Sequence, residues 1–270
     1  MDTVPYYLRK SMIKVPEVGV YFWIIKVLTT GMGETTSDYL VHILNPFIAV
    51  SMGGIALIIA LILQFRTRRY IPWVYWLTVI MVAVFGTMAA DVLHIGLGIP
   101  YLVSTIFFLF SLIIIFILWY KVEHTLSIHS IYTLRRELFY WSTVMATFAL
   151  GTAAGDMTAT TMHLGYFSSG VLFAVLITIV AIGHLITKGI LAIEHQKQSR
   201  NAVLAFWLAY ILTRPLGASF ADWMGVSHAR GGLAWGTGQV SLALLALIVC
   251  IVVYLTITHK EVEFHSEKTR

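Results

Sequence analysis

Apolar residues run along this chain in eight blocks separated by short polar connections. The blocks are Val20–Tyr39, Pro46–Gln64, Ile71–His94, Tyr101–Tyr120, Leu138–Thr158, Tyr166–Thr187, Val203–Met224 and Leu233–Thr258. Each is close to the roughly 20 residues that a helix needs to cross a hydrocarbon core. The period-two alternation of a spanning β-barrel is absent, so the pattern predicts helices. The expected fold is an all-α membrane protein: eight transmembrane helices in one integral domain over residues 1–270.

Polar positions set the orientation. The cationic connections are the N-terminus (Arg9, Lys10, Lys14), Arg66–Arg69, Lys121–Arg136, Lys188–Arg200 and the tail after His259. The connections between them carry almost no Lys or Arg, Arg230 excepted. By the positive-inside rule both termini and the basic loops face the cytoplasm, as an even number of spans requires. Met1–Pro16 lacks a cleavable signal pattern, and the first block reads as a retained span. The expected location is a cytoplasmic membrane.

Inside the blocks one spacing recurs four times: Trp, ten residues on Gly, then four residues on a small residue followed by Asp. The sets are Trp23/Gly33/Ser37/Asp38, Trp76/Gly86/Ala90/Asp91, Trp141/Gly151/Gly155/Asp156 and Trp207/Gly217/Ala221/Asp222. They fall on alternate blocks, which divides the chain into parallel two-helix repeats near 16–65, 70–120, 135–188 and 201–258. Parallel repeats imply pseudo-fourfold, or nested twofold, symmetry about the membrane normal. The segments GETTSDYL, DVLHIGLGIPY, ALGTAAGDMTA and ILTRPLGASFADW carry a resemblance to a family of bacterial membrane proteins. Its members are built from four tandem copies of a two-helix repeat of unknown function, each with a characteristic tryptophan. The resemblance implies an eight-helix bacterial membrane protein and supplies no activity.

The repeat has a physical reading. Fifteen residues from Trp to Asp span about 22 Å of helix. The Trp then lies near the cytoplasmic interface, most simply in an aromatic belt, and the Asp near the outer end. The Gly-x-x-x-small step is a close-packing device that draws the odd helices together. An Asp at the centre of a spanning helix costs about 2.5–3.5 kcal/mol on insertion scales, so a repeated one calls for a shared role. The residue four before each Asp shares its face: Glu34, Thr87, Thr152 and Ala218. Lys26 and Arg214 lie on the same faces, and Pro215 predicts a local kink. The five carboxylates against two cations leave three net negative charges if all are ionised. Such a set must be paired, protonated or cation-bound.

His42, His94, His163 and His228 follow the repeat Asp residues within seven positions. Mixed imidazole and carboxylate ligands suit Mn²⁺, Fe²⁺, Co²⁺, Ni²⁺ or Zn²⁺ better than Mg²⁺ or Ca²⁺. A lone interfacial histidine is the simpler reading for any one of them.

Composition narrows the classes. Hydrophobic residues make up 59% of the chain and charged ones 11%. Soluble domains carry about 25% charged residues. The net charge of +5 resides in the connections, which argues against nucleic acid as a partner. The single cysteine, Cys250, builds no intrachain disulfide or thiolate site. The motifs GxxxxGK[ST], HExxH and GxSxG are missing, so nothing marks an ATPase, a zincin or an α/β-hydrolase, and no enzyme activity is expected.

The leading expectation is a cation transporter, with a divalent transition metal as cargo and protons as the coupling ion. Asp38, Asp91, Asp156 and Asp222 form its site, Glu34 is a further ligand or proton-coupling group, and Thr87 and Thr152 give neutral oxygen contacts. Lys26 and Arg214 are internal counter-charges. The alternatives are a non-transporting membrane sensor or accessory protein with one structural Asp per repeat, and a haem or quinone redox protein using His184 with an outer histidine. The sequence specifies no cofactor, with a bound divalent metal ion the one candidate; the bilayer is the expected partner.

Overall fold

The computed structural model describes residues 12–190 and 195–258. Among these residues the fold is all-helical, without strands. The long helices are α1 (Val20–Ile43), α2 (Pro46–Arg66), α3 (Pro72–Asp91), α4 (Tyr101–Glu123), α5 (Leu134–Asp156), α6 (Tyr166–Ile190), α7 (His195–Gly225) and α8 (Thr237–Thr258). Proline occupies the first turn of α2 and α3, where its missing N–H costs nothing, and the Asn45 side chain caps α2. Directly after their Asp residues, α3 and α5 widen into π-helical turns, Val92–Gly96 and Met157–Thr161.

Six of the helices are long and apolar enough to cross a membrane; α1 and α5 are the exceptions. Their lower hydropathy has a clear cause. Lys26, Thr29, Thr30, Glu34, Thr35 and Ser37 on α1, with Thr143, Thr147 and Thr152 on α5, are all buried in the protein. Glu34, Thr30 and Thr152 bond to other helices, while Thr29, Thr35, Thr143 and Thr147 bond carbonyls of their own helix.

The odd helices form a closed ring in which α1 packs on α3, α3 on α5, α5 on α7 and α7 on α1. The even helices stand outside it. Each packs on the odd helix of the following repeat: α2 on α3, α4 on α5, α6 on α7, and α8 back on α1. The two helices of a repeat are therefore joined by a short connection but pack mainly on other repeats. The outer helices turn large apolar side chains outward, among them Ile55, Ile58 and Ile62 on α2 and Phe107, Phe110 and Ile114 on α4. An apolar surface of this extent fits hydrocarbon, not water.

Two sets of contacts repeat around the ring. Near its middle each repeat glycine faces the residue seven after the next repeat's Trp: Gly33 meets Ala83, Gly86 meets Phe148, Gly151 meets Arg214 and Gly217 meets Thr30. A Cβ at Gly86 would lie 2.8 Å from Cβ of Phe148, and one at Gly217 would lie 2.9 Å from the Val27 carbonyl oxygen. The glycines thus set the helix spacing.

At the other end, the aromatic residue before each Trp meets the Trp of the next odd helix. Centroid separations are 5.8 Å for Phe22–Trp76, 5.6 Å for Tyr75–Trp141, 6.2 Å for Tyr140–Trp207 and 5.7 Å for Phe206–Trp23. This corrects the interfacial-belt expectation. Trp76, Trp141 and Trp207 are only 1%, 4% and 3% exposed, and Trp23 is half-buried. Aromatic pairs of this geometry add about 0.5–1.5 kcal/mol each beyond burial, an incentive to turn the rings inward.

Beneath the aromatic ring lies a buried ion pair. Lys14 Nζ donates to Glu137 Oε2 at 2.6 Å and to the Phe65 carbonyl at 3.2 Å. Gln64 Nε2 donates to the other Glu137 oxygen at 2.9 Å. Lys14, expected in a solvated basic segment, instead ties the chain before α1 to α2 and α5.

Candidate functional site

Inward-facing positions on the odd helices recur every four residues, one helical turn apart, and so stack in layers. From the aromatic end, the first layer holds Lys26, Val79, Val144 and Tyr210. Lys26 is fully buried, and its Nζ lies 4.1 Å from the ring centroids of both Phe148 and Tyr210. That ammonium has no hydrogen-bond acceptor. Cation–π attraction of about 2 kcal/mol or more for a desolvated pair offsets only part of the cost of burying the charge.

Arg214 comes from the next layer, and its guanidinium reaches the one above. Nη2 donates to Glu34 Oε2 at 2.6 Å and to Thr152 Oγ1 at 2.7 Å, and it also bonds Thr87 Oγ1. Nη1 donates to the Thr30 carbonyl at 3.2 Å. A single buried guanidinium thus joins α1, α3 and α5 to its own α7. Gly151 makes this possible, because a side chain there would occupy the space of the Arg214 stem and Pro215. Of the two internal counter-charges, Arg214 pairs with the Glu34 carboxylate and Lys26 does not. Thr87 and Thr152 give their oxygens to Arg214.

Above this layer the repeat carboxylates gather. One atom each from Glu34, Asp156 and Asp222 lie within 4.8 Å of one another, and so do one atom each from Asp91, His94 and Asp156. Asp156 belongs to both groups, which makes a continuous acidic site fed by all four odd helices. Asp222 is 5% exposed, and its Oδ1 has no hydrogen-bond partner. Asp91 and Asp156 are half-buried. Asp38 is also half-buried and lies within electrostatic reach of Glu34, but it joins neither triad.

The histidines divide. His94 is 7% exposed; Nε2 is 2.6 Å from Ser104 Oγ and Nδ1 has no partner. The π turn after Asp91 carries it to the carboxylates. His42, His163 and His228 are exposed and stand outside both triads, so the expected set of four nitrogen ligands reduces to one. Their backbone surroundings explain this. His42 Nδ1 is engaged by the Asp38 carbonyl oxygen at 2.6 Å and His228 Nδ1 by that of Gly232 at 2.9 Å, while His163 sits in a left-handed turn at φ 56°. His184 borders a separate groove between α1, α6 and α7 together with His129.

Sequence reasoning missed the Glu137–Lys14–Gln64 cluster and the aromatic partner preceding each Trp. The second had a signal: Phe22, Tyr75, Tyr140 and Phe206 all stand one residue before the repeat Trp.

Chemically, the acidic site offers carboxylate oxygens with one imidazole and neutral hydroxyls nearby. Carboxylates with an imidazole are ligand types suited to divalent transition ions, and Lys26 and Arg214 stand on one side of them. No curated protein matches the chain, and no solved structure does. The family model described as "Repeat of Unknown Function (DUF347)" matches it over residues 21–70, 74–125, 139–189 and 205–261. With four tandem copies spanning the ring and its outer helices, the chain belongs to the DUF347 repeat family.

Proposed function

We propose that this protein translocates a cation across a bacterial cytoplasmic membrane, with a divalent transition ion as cargo. In this reading all eight helices span the bilayer with pseudo-fourfold symmetry, and both termini are cytoplasmic. The axial carboxylates form the cation site near the outer face. The observation that carries the reading is the sharing of Asp156 between the Glu34/Asp156/Asp222 and Asp91/His94/Asp156 groups. Intramembrane carboxylates that converge on one another without enough counter-charge mark an ion pathway more than a packing device. The half-exposed Asp38, Asp91 and Asp156 offer entry from the outer end. Lys26 and Arg214 stand between the site and the basic end of the bundle, so passage requires a second conformation in which these charges move. Proton exchange at the carboxylates would supply the driving force without a nucleotide.

A sensor or accessory role has one observation in its favour: Arg214 is well paired with Glu34, Thr87 and Thr152 and locks four helices together. That accounts for the guanidinium layer and leaves the Asp layer unexplained. The test is Mn²⁺ entry into proteoliposomes loaded with a Mn²⁺-quenched dye. Wild type should quench the dye well above empty vesicles, and D156N at least about tenfold more slowly. Equal rates for wild type, D156N and empty vesicles would overturn the transport reading.

A further inference from the structure

Glu34 is asked to do two things at once. Its Oε2 accepts from Arg214 at 2.6 Å, and its carboxylate is one of three whose oxygens lie within 4.8 Å of one another, with Asp156 and Asp222. The guanidinium therefore sits where it neutralises a member of that triad. We propose that Arg214 is a tethered competitor for the inner cation subsite, so that a divalent cation entering between Glu34, Asp156 and Asp222 must take Glu34 from it. This rests on the cation-binding reading above and adds a specific occupant and a specific switch.

Several independent features support it. Asp222 Oδ1 is buried and unpartnered, so the triad holds an acceptor that the protein leaves unused. A buried carboxylate oxygen without a donor is costly, and a cation removes that cost. Arg214 does not lose all its partners when Glu34 leaves. Thr87, Thr152 and the Thr30 carbonyl remain, all neutral, and Phe148 lies under the guanidinium at 5.2 Å. The head group thus has a resting place that does not depend on the carboxylate. Its Nε is unpartnered, which leaves one donor free for a shifted arrangement. The outer triad, Asp91/His94/Asp156, lies beyond the guanidinium's hydrogen bonds and has no such competitor. Because Asp156 is common to both, a cation held first at the outer triad passes inward by exchanging Asp91 and His94 for Asp222 and Glu34.

Competition for a shared group is a coupling free energy, and it is reciprocal. Removing the guanidinium charge should strengthen cation binding, and only while Glu34 is a carboxylate. The probe is Mn²⁺ alone, titrated into detergent-solubilised full-length protein with free Mn²⁺ read by its EPR signal. R214Q should bind Mn²⁺ about tenfold or more tightly than wild type, E34Q should bind it more weakly, and the gain from R214Q should vanish in the E34Q background. R214M is the second variant should R214Q fail to fold: it keeps an apolar stem against Phe148 without the charge, so it should also tighten binding. An R214Q or R214M protein that binds Mn²⁺ no more tightly than wild type, or a gain that persists undiminished with E34Q, overturns the competitor role. Wild type and D156N binding alike, or neither binding, would instead defeat the cation-site reading itself.

Discussion

Gly151 and Gly155 lie one turn apart on α5 and answer differently to an added methyl group. At Gly151 a Cβ would lie 2.6 Å from Cβ of Arg214 and 3.0 Å from Cδ of Pro215, both atoms held close to the backbone inside α7. At Gly155 the nearest atoms are 3.7 Å away, ordinary contact. G151A should therefore destabilise the protein by about 1–3 kcal/mol, the usual cost of overpacking, and G155A by less than about 1 kcal/mol. Thermal unfolding of the two variants in the same detergent checks the contrast. At this scale the repeat Asp residues and the Glu34 face were legible, because four-residue steps fix a helical face whatever the neighbours are. The fate of the charges on that face was not. Which carboxylate Arg214 takes depends on the reach of a side chain across three helices, and spacing along one helix says nothing of it. The histidines show the same limit: His94, three residues after its Asp in a π turn, meets the carboxylates, whereas His42, four residues after its own in α1, meets a backbone carbonyl.

Among the elements, α1 and α8 close the structure. Thr36 Oγ1 on the first long helix lies 2.5 Å from Ser241 Oγ on the last. A T36C/S241C pair in a C250S background should cross-link on mild oxidation and shift the protein's electrophoretic mobility until it is reduced. Absence of the cross-link under oxidation that joins unpaired surface cysteines would deny that α8 returns to α1. The helices themselves were legible in the hydropathy pattern. Their partners were not, because an outer helix that is apolar all round gives no face to read. Sequence spacing marks the two helices of a repeat and is silent on which helix each packs against: α2, α4 and α6 each cover the next repeat. The π turns after Asp91 and Asp156 left no mark in the sequence either. Such turns occur often at functional sites, and here they sit beside the carboxylates that share His94.

For the molecule as a whole, charge is distributed unevenly along the ring axis. The aromatic ring seals one end, Lys26 and Arg214 occupy the middle, and the carboxylates crowd the other end. Composition and the basic connections pointed to a membrane protein, and the outward apolar faces of α2, α4, α6 and α8 agree with them. The convergence of carboxylates could be posed from sequence only as a geometric expectation. It is met by Asp91, Asp156, Asp222 and Glu34, with Asp38 at the margin. That uneven participation gives the account its sharpest consequence. A ligand that binds only the folded state raises its stability by mass action, by about 2.7 kcal/mol at a hundredfold excess over Kd. The decisive measurement is the thermal shift produced by Mn²⁺ in wild type, D38N and D156N. The account predicts a clear upward shift in wild type, most of it retained in D38N and nearly all of it lost in D156N. A shift of the same size in wild type and D156N would contradict it.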